Sequence, residues 1–506
     1  MQSAECKEKT EYEVTTLLII PVVTAIICYG VKSQRLIGYV SLGGITALAA
    51  VAAQVIPGAV SVPLTALQGA LYMDAFSAYV AGCMLFYSFA AAVYSISYLQ
   101  DEFDSGLIDI RGMRRYYALF HLFVFTMVLV ATANNLALMW IGMEATTIVS
   151  ALLIGLGFHK RPLAVEAAWK YIVLCTVGIT FALLGTFITY YAATSVIGHE
   201  GALNWTVLKG IASKLNPETM KLAFIFMLVG YGTKAGLAPV HNWLPDAQSE
   251  APSPISALLP GWTAFYAIMR FLSIVEPSTG SSFTGTLLIV FGLISVGIAA
   301  IFILVQDNYK RLLSYSSVEH MGIIALGAGI GGPVALYGSL LHVLGNTFAK
   351  PLMFFASGKI QARFGSTNIA KVNGVFSSMP LLGALTIIGA LALSGTPPFN
   401  IFISEFTILK AAADKGRWLV VGVFLFFVVV VFYGVLSGFG KMLFGTPGDS
   451  PAPESIPRRA APVTIGAMLA NTIMIVMAAV IIIMGFTVPG FIDRTIWACV
   501  RVLGAN

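Results

Sequence analysis

Runs of about 20 consecutive apolar residues, the length a helix needs to cross a bilayer, follow one another along almost all of this chain. They fall at about 15–31, 37–57, 72–98, 116–133, 135–156, 165–194, 220–238, 253–275, 285–305, 312–331, 333–358, 379–413, 417–444 and 463–490, about fourteen in all. No stretch of soluble-domain size is left between them. Only 10% of the 506 residues are charged and 58% are hydrophobic, with a mean hydropathy of +0.87, whereas a soluble domain carries roughly 25% charged residues. In lipid each spanning segment must satisfy its own backbone polar groups. The expected class is therefore an all-α polytopic membrane protein.

Two of these runs are broken. Residues 228–257 read LVGYGTKAGLAPVHNWLPDAQSEAPSPISA, with Lys234 inside the apolar part, Gly236 and Pro239 at the break, and His241, Trp243, Asp246 and Glu250 after it. Residues 390–410 read ALALSGTPPFNIFISEFTILK, with Gly395, Pro397 and Pro398 at the break and Glu405 just past it. A membrane helix is interrupted only where protein or a water-filled cavity re-satisfies the freed groups, and an ammonium beside such a break marks an ion path. Two Gly/Pro-interrupted segments in matching halves point to a transporter built from inverted repeats.

The charges inside the spans supply the candidates for that path. Glu144 lies in mid-span, with Thr147 one turn away. Lys170 sits near one end of its span, where it either serves the path or snorkels to the interface. Lys234 is deeper and adjoins the first break; burial and a nearby carboxylate act on a lysine in opposite directions, and Glu144 is its expected partner. His342, Asn346 and Lys350 recur every four residues and form one polar stripe on a helix face, either a proton wire or interhelical hydrogen bonding. Glu319 and His320 are adjacent and point in different directions, so at least one of them is expected to be structural. Glu405 follows the second break, and His241, Asp246 and Glu250 serve either the path or the capping of its mouth. Lys310 and Arg311 read most simply as interfacial anchors. The expected relay runs Glu144–Lys234 in one half and His342–Lys350–Glu405 in the other.

Much is excluded. The net charge of +6 is spread over loops with no basic run, so nucleic acid is not an expected partner. Cys6, Cys28, Cys83, Cys175 and Cys499 show no metal spacing, and neither a phosphate-binding loop nor a nucleophile elbow is present. No cofactor or metal is expected, so energy for pumping has to come from a partner subunit. The polar N-terminus lacks the cationic start of a cleavable signal. Lys and Arg are richer in loops after odd-numbered spans, for example Arg111, Arg114, Arg115, Lys359, Arg363 and Lys441, which puts those loops in the cytoplasm and both termini outside. The proline-rich 446–462 segment reads as a surface linker.

Three motifs carry a resemblance. KAGLAPVHNWLPDAQSEAPSPISALL, DNYKRLLSYSSVEHMGI and LALSGTPPFNIFISEF resemble the proton-conducting antiporter-like subunits of complex I and of the multisubunit cation/proton antiporters, over about residues 70–445. NNLALMWIGMEATT, EAAWKYIVLCTVGITFALLGT and YSSVEHMG look most like the F component of hydrogenase-4 and related formate hydrogenlyase-type complexes. The resemblance implies fourteen helices and two inverted five-helix repeats, each with a broken helix, around a hydrophilic axis. It places the glutamate–lysine pair on Glu144 and Lys234, the second-half relay in the His342/Lys350 region and its end at Glu405. We divide the chain accordingly at 1–115, 116–275, 276–445 and 446–506.

Two departures stand out. Gln248 replaces a histidine found in many relatives, and residues 258–271 lack a lysine that many carry and run about three residues short. A proton would then pass from Lys234 to the second half by water, Thr263 or His320. The implied function is transport of protons, or of sodium ions, in the inner (cytoplasmic) membrane, beside other membrane subunits and, through them, a soluble redox arm. A cation/proton antiporter, an inorganic-carbon uptake complex, and a scaffold with a decayed channel are the alternatives.

Overall fold

A computed structural model describes residues 2–156, 161–259, 261–445 and 464–504. Three long helices lead: α1 (Gln2–Gly30), α2 (Gln34–Ser61) and α3 (Ala75–Asp104), with a short antiparallel hairpin, β1 (Leu64–Ala66) and β2 (Leu71–Met73), between the last two. Next come α4 (Ile110–Thr132), α5 (Leu136–Ile154), α6 (Arg161–Ile197), the short α7 (Trp205–Ile211) and α8 (Pro217–Ala235). The chain continues through α9 (Trp243–Glu250), α10 (Ser253–Leu258), α11 (Trp262–Thr279), α12 (Ser281–Leu304), α13 (Tyr309–Ile330) and α14 (Pro333–Phe364). It closes with α15 (Val375–Ser378), α16 (Pro380–Leu393), α17 (Asn400–Asp414), α18 (Trp418–Phe444), α19 (Ile465–Phe486) and α20 (Gly490–Val502).

Among the described residues, ten helical stretches are long and apolar enough to cross a membrane. The helices α8, α13 and α14 are not among them, because they carry the polar groups of the interior. Large apolar side chains on α6 and α18 face outward (Tyr191 is 72% exposed and Leu419 80%), as lipid-facing helices require. The outcome is a multi-pass, all-α membrane protein.

Several expectations need correcting. The first helix starts at Gln2, ahead of the apolar run. The span expected at 253–275 falls on the candidate span Ser253–Thr279, which comprises α10 and α11, while the C-terminal α20 was not foreseen. The 446–462 linker lies outside the described residues.

Both breaks fall where the glycines place them. Gly236 ends α8 in the left-handed region (φ +80°) and Gly395 does the same after α16 (φ +65°), conformations that cost glycine little. The freed groups find partners. The Trp243 indole donates to the Thr233 carbonyl at 2.7 Å, and the Ala238 amide donates to Ser295 Oγ of α12 at 2.9 Å. At the second break the Thr396 hydroxyl donates to the Leu391 carbonyl at 2.8 Å.

Glycines also set how closely helices approach, since backbone contact is the main source of packing energy between membrane helices. A Cβ on Gly292 of α12 would sit 2.7 Å from the Gly322 carbonyl oxygen and 2.9 Å from the Leu326 nitrogen of α13. Both obstacles are backbone and cannot rotate away. Gly292→Ala is expected to destabilise the protein by about 1–3 kcal/mol, seen as an earlier thermal transition after detergent extraction. An unchanged transition would mean that α12 and α13 part without loss.

Candidate functional site

Lys234 lies in the last turn of α8, against the break, and is 8% exposed. Its ammonium donates to Thr147 Oγ1 of α5 at 2.9 Å and to the Tyr171 hydroxyl of α6, and it stands 4.6 Å from the Tyr171 ring centroid. Tyr171 in turn shares a 2.8 Å hydrogen bond with Ser150 of α5. Three helices thus meet at one cation. Beside it is a cavity of about 20 Å³ lined by Lys234, Tyr171, Thr146 and Thr263, enough for a single water. Glu144 makes no ion pair with Lys234. One of its oxygens accepts from Thr176 of α6 at 2.8 Å, and the other is buried without a hydrogen-bond partner.

The second half holds a longer chain of groups. His320 Nδ1 on α13 and His342 Nε2 on α14 are 3.0 Å apart, and His342 Nδ1 is 2.8 Å from Ser404 Oγ on α17. Ser404 itself donates to the Ile401 carbonyl at 2.6 Å, so its oxygen accepts the His342 Nδ1 proton. The network then assigns His342 Nε2 as acceptor and His320 Nδ1 as donor. His320 Nε2 is left as a buried acceptor, and it has no hydrogen-bond partner. Ligand atoms of His320, His342 and Glu405 all lie within 4.8 Å of one another. That spacing suits a metal ion as well as a proton, but the two facing ring nitrogens already share a hydrogen bond. Lys350 is 3% exposed and donates to the Leu313 carbonyl at 3.1 Å and to the Ser316 hydroxyl. Its charge acts on Glu319, also buried.

The stripe foreseen on α14 is real but not uniform. Asn346 Nδ2 donates to the His342 carbonyl at 3.0 Å, which fixes the helix more than it extends a wire. Both members of the Glu319–His320 pair are fully buried, because every face of α13 packs against protein. His241 is 5% exposed, with its ring centroid 6.4 Å from Tyr315 and its Nδ1 unpartnered.

Lys170 lies apart from the interior chain. It is exposed and pairs with Glu166 at 2.7 Å and Asp246 at 3.4 Å. Arg311 of α13 reaches the other Asp246 oxygen at 3.0 Å, so one carboxylate ties α6 to α13. Lys310 is no interfacial anchor: it is 3% exposed and donates to the Ala251 carbonyl at 2.8 Å. Its place at the second position of α13, next to Asn308 whose side chain caps the helix, turns it inward.

Sequence reasoning missed Tyr171, Ser316 and Ser404, ordinary hydroxyls whose role depends on neighbours from distant parts of the chain. It also missed Asp74 and Arg270. Arg270 of α11 makes a two-pronged pair with Asp74, at 2.8 and 2.6 Å, and donates to Tyr266 at 2.9 Å and to Ser77 at 2.8 Å. Both charges are at most 3% exposed. A carboxylate at the start of the third apolar run, and an arginine within the run at 253–275, were the available signals.

Residues 133–432 match the family described as NADH:quinone oxidoreductase/Mrp antiporter, TM. The "Hydrogenase-4 component F homolog" of Methylacidiphilum infernorum is 38% identical over 378 residues, 72% of this chain and 77% of that protein. A chain of the membrane-bound sulfane sulfur reductase, an archaeal respiratory membrane complex, superposes with a TM-score of 0.81 at 25% identity, covering 97% of both chains. A chain of the Mrp complex from Dietzia sp. DQ12-45-1b has the same fold, with a TM-score of 0.82 at 19% identity over 98% of each chain. Both solved relatives are parts of multisubunit membrane complexes. This chain is an antiporter-like membrane protein and belongs to the NADH:quinone oxidoreductase/Mrp antiporter transmembrane family.

Proposed function

We propose that this chain moves protons across the inner (cytoplasmic) membrane as a subunit of a redox complex akin to those of hydrogenase-4 and complex I. On this reading it has fourteen spans, arranged as two inverted repeats, and both termini lie outside. The observation that carries it is the buried sequence His320–His342–Ser404, with Glu405 beside the two histidines and Lys350 of α14 bound to the facing turn of α13. A charge at membrane depth costs about 2.5–3.5 kcal/mol even on the lenient scales, and packing alone would be served better by apolar residues.

A proton reaching His320 Nε2 displaces the Nδ1 proton onto His342 Nε2, and the His342 Nδ1 proton then passes toward Ser404 and Glu405. In the first half, Lys234 takes and gives up a proton among the hydroxyls of Thr147 and Tyr171, with Glu144 acting on it by its charge from one turn along α5. The small cavity at Thr263 offers a water step in place of the lysine missing from 258–271. Lys170 and His241 belong to the rim of the path. Driving energy comes from partner membrane subunits and a soluble redox arm, since every group named here only moves protons.

The test is turnover-coupled acidification in inverted vesicles holding the assembled complex. Glu405→Gln and His342→Ala are each expected to lower it by about tenfold or more with assembly intact. Unchanged acidification in both would make the chain a scaffold.

A further inference from the structure

The family reading leaves the buried Lys310 unused. Lys310 is as enclosed as Lys350 but lies at the very start of α13, where the loop charges assign the cytoplasmic face. The carboxylates whose charge reaches it are Glu250, at the end of α9, and Glu102, near the end of α3 and itself 1% exposed. An ammonium placed here merely to anchor the helix would turn to water, as Arg311 next to it does (41% exposed). Lys310 turns inward, and its ammonium donates to the Ala251 carbonyl, in the short link between α9 and α10.

From Lys310 the path has a direction. Three and six residues on, about 4.5 and 9 Å along the axis, Leu313 O and Ser316 Oγ hold the Lys350 ammonium. Glu319 and His320 follow within another turn. The other end of the same helix opens onto a cavity of about 440 Å³ lined by residues of both halves, among them Ser273 of the first and Glu276, Ile330, Leu336 and Lys415 of the second. On α14, Leu336 and Ser339 precede His342 by six and three residues, so the helix leads from the histidine pair toward that cavity, about 9 Å along its axis. With 22 residues, α13 is about 33 Å long, close to the thickness of the hydrocarbon core.

We infer that Lys310, flanked by Glu250 and Glu102, is where the second half takes up its proton, and that the cavity at the far end of α13 is where the proton is released. The inference rests on the proton reading above. Lys310 takes a proton from the cytoplasmic side, gives it up along α13 toward Lys350, and is left as a neutral amine until it is reloaded.

Acidification by inverted vesicles holding the complete complex tests it, with Lys310→Ala, Lys310→Arg and Glu102→Gln compared with Lys234→Ala and Lys350→Ala. Lys310→Ala is expected to lose about tenfold, and Lys310→Arg is expected not to restore it, because a guanidinium does not release its proton. Rescue by arginine would show that only the positive charge is needed and would overturn the inference. So would unaltered pumping in Lys310→Ala while Lys234→Ala and Lys350→Ala fail. If none of the five variants alters pumping, it is the proton reading itself that falls. Should Lys310→Ala not assemble, Glu102→Gln, which keeps the lysine and the side-chain volume, decides by the same loss. For the release end, Leu336→Cys is expected to react with a membrane-impermeant thiol reagent from the outer face only; labelling from the cytoplasmic face, or none, overturns that part.

Discussion

Lys234→Ala is expected to lower turnover-coupled acidification by about a hundredfold while leaving the complex assembled. The ammonium is the one group that joins α5, α6 and α8, through Thr147 and Tyr171. Its loss leaves two hydroxyls that still have partners elsewhere: Tyr171 keeps Ser150, and Thr147 keeps the Met143 carbonyl. Structural damage should therefore be small and the functional loss large. A scaffold behaves in the opposite way, indifferent to the lost charge. Lys234→Arg discriminates further, because arginine preserves the charge without releasing a proton and should be as inactive as alanine. Normal acidification in the arginine variant would remove Lys234 from the path.

Arg270→Ala is expected to cost about 3–5 kcal/mol, the penalty of stranding the buried Asp74 carboxylate. The guanidinium is held on three sides by rings, with centroids at 4.2 Å (Trp205), 5.0 Å (Tyr266) and 5.3 Å (Phe76). Arg270→Lys should fare little better, since an ammonium cannot make the two parallel bonds to Asp74. Removing both charges, as Asp74→Leu with Arg270→Met, should be much milder than either single change. The measurement is the amount of folded protein in the membrane, together with its thermal transition in detergent. A double variant as poor as Arg270→Ala would show that the pair does more than neutralise itself.

The class, the two breaks and most of the interior charges were legible in the sequence, because lipid penalises polar groups so heavily that each one left in a span stands out. Lys234, Lys350, His342 and Glu405 were recognisable for that reason alone. What the sequence could not convey was pairing across distant helices. Glu144 and Lys234 were expected to meet, yet a threonine one turn away takes the ammonium. Lys170, near one end of its span, was left open between the path and the interface. What decides it is that Lys170 has Glu166 one turn away on its own helix, drawing it to the outer surface, whereas Lys350 has no carboxylate at that distance, only Asn346, Thr347, Met353 and Phe354. Lys310 erred the other way: a Lys-Arg pair at a helix start reads as an anchor until the fold shows that one side chain goes in and the other out.

The hydrogen bond from Ala238 to Ser295 has a consequence for divisibility. An amide freed by the first break is satisfied by a hydroxyl that lies beyond residue 276, on the other side of the boundary drawn between the two halves. Cut there, the first portion would carry a bare N–H into an oily surrounding, a loss of several kcal/mol per group, and no rearrangement within that portion supplies Ser295. Expressed separately, the portions should be recovered only when made together in the same membrane: the gene can be split in two, but the folded object cannot.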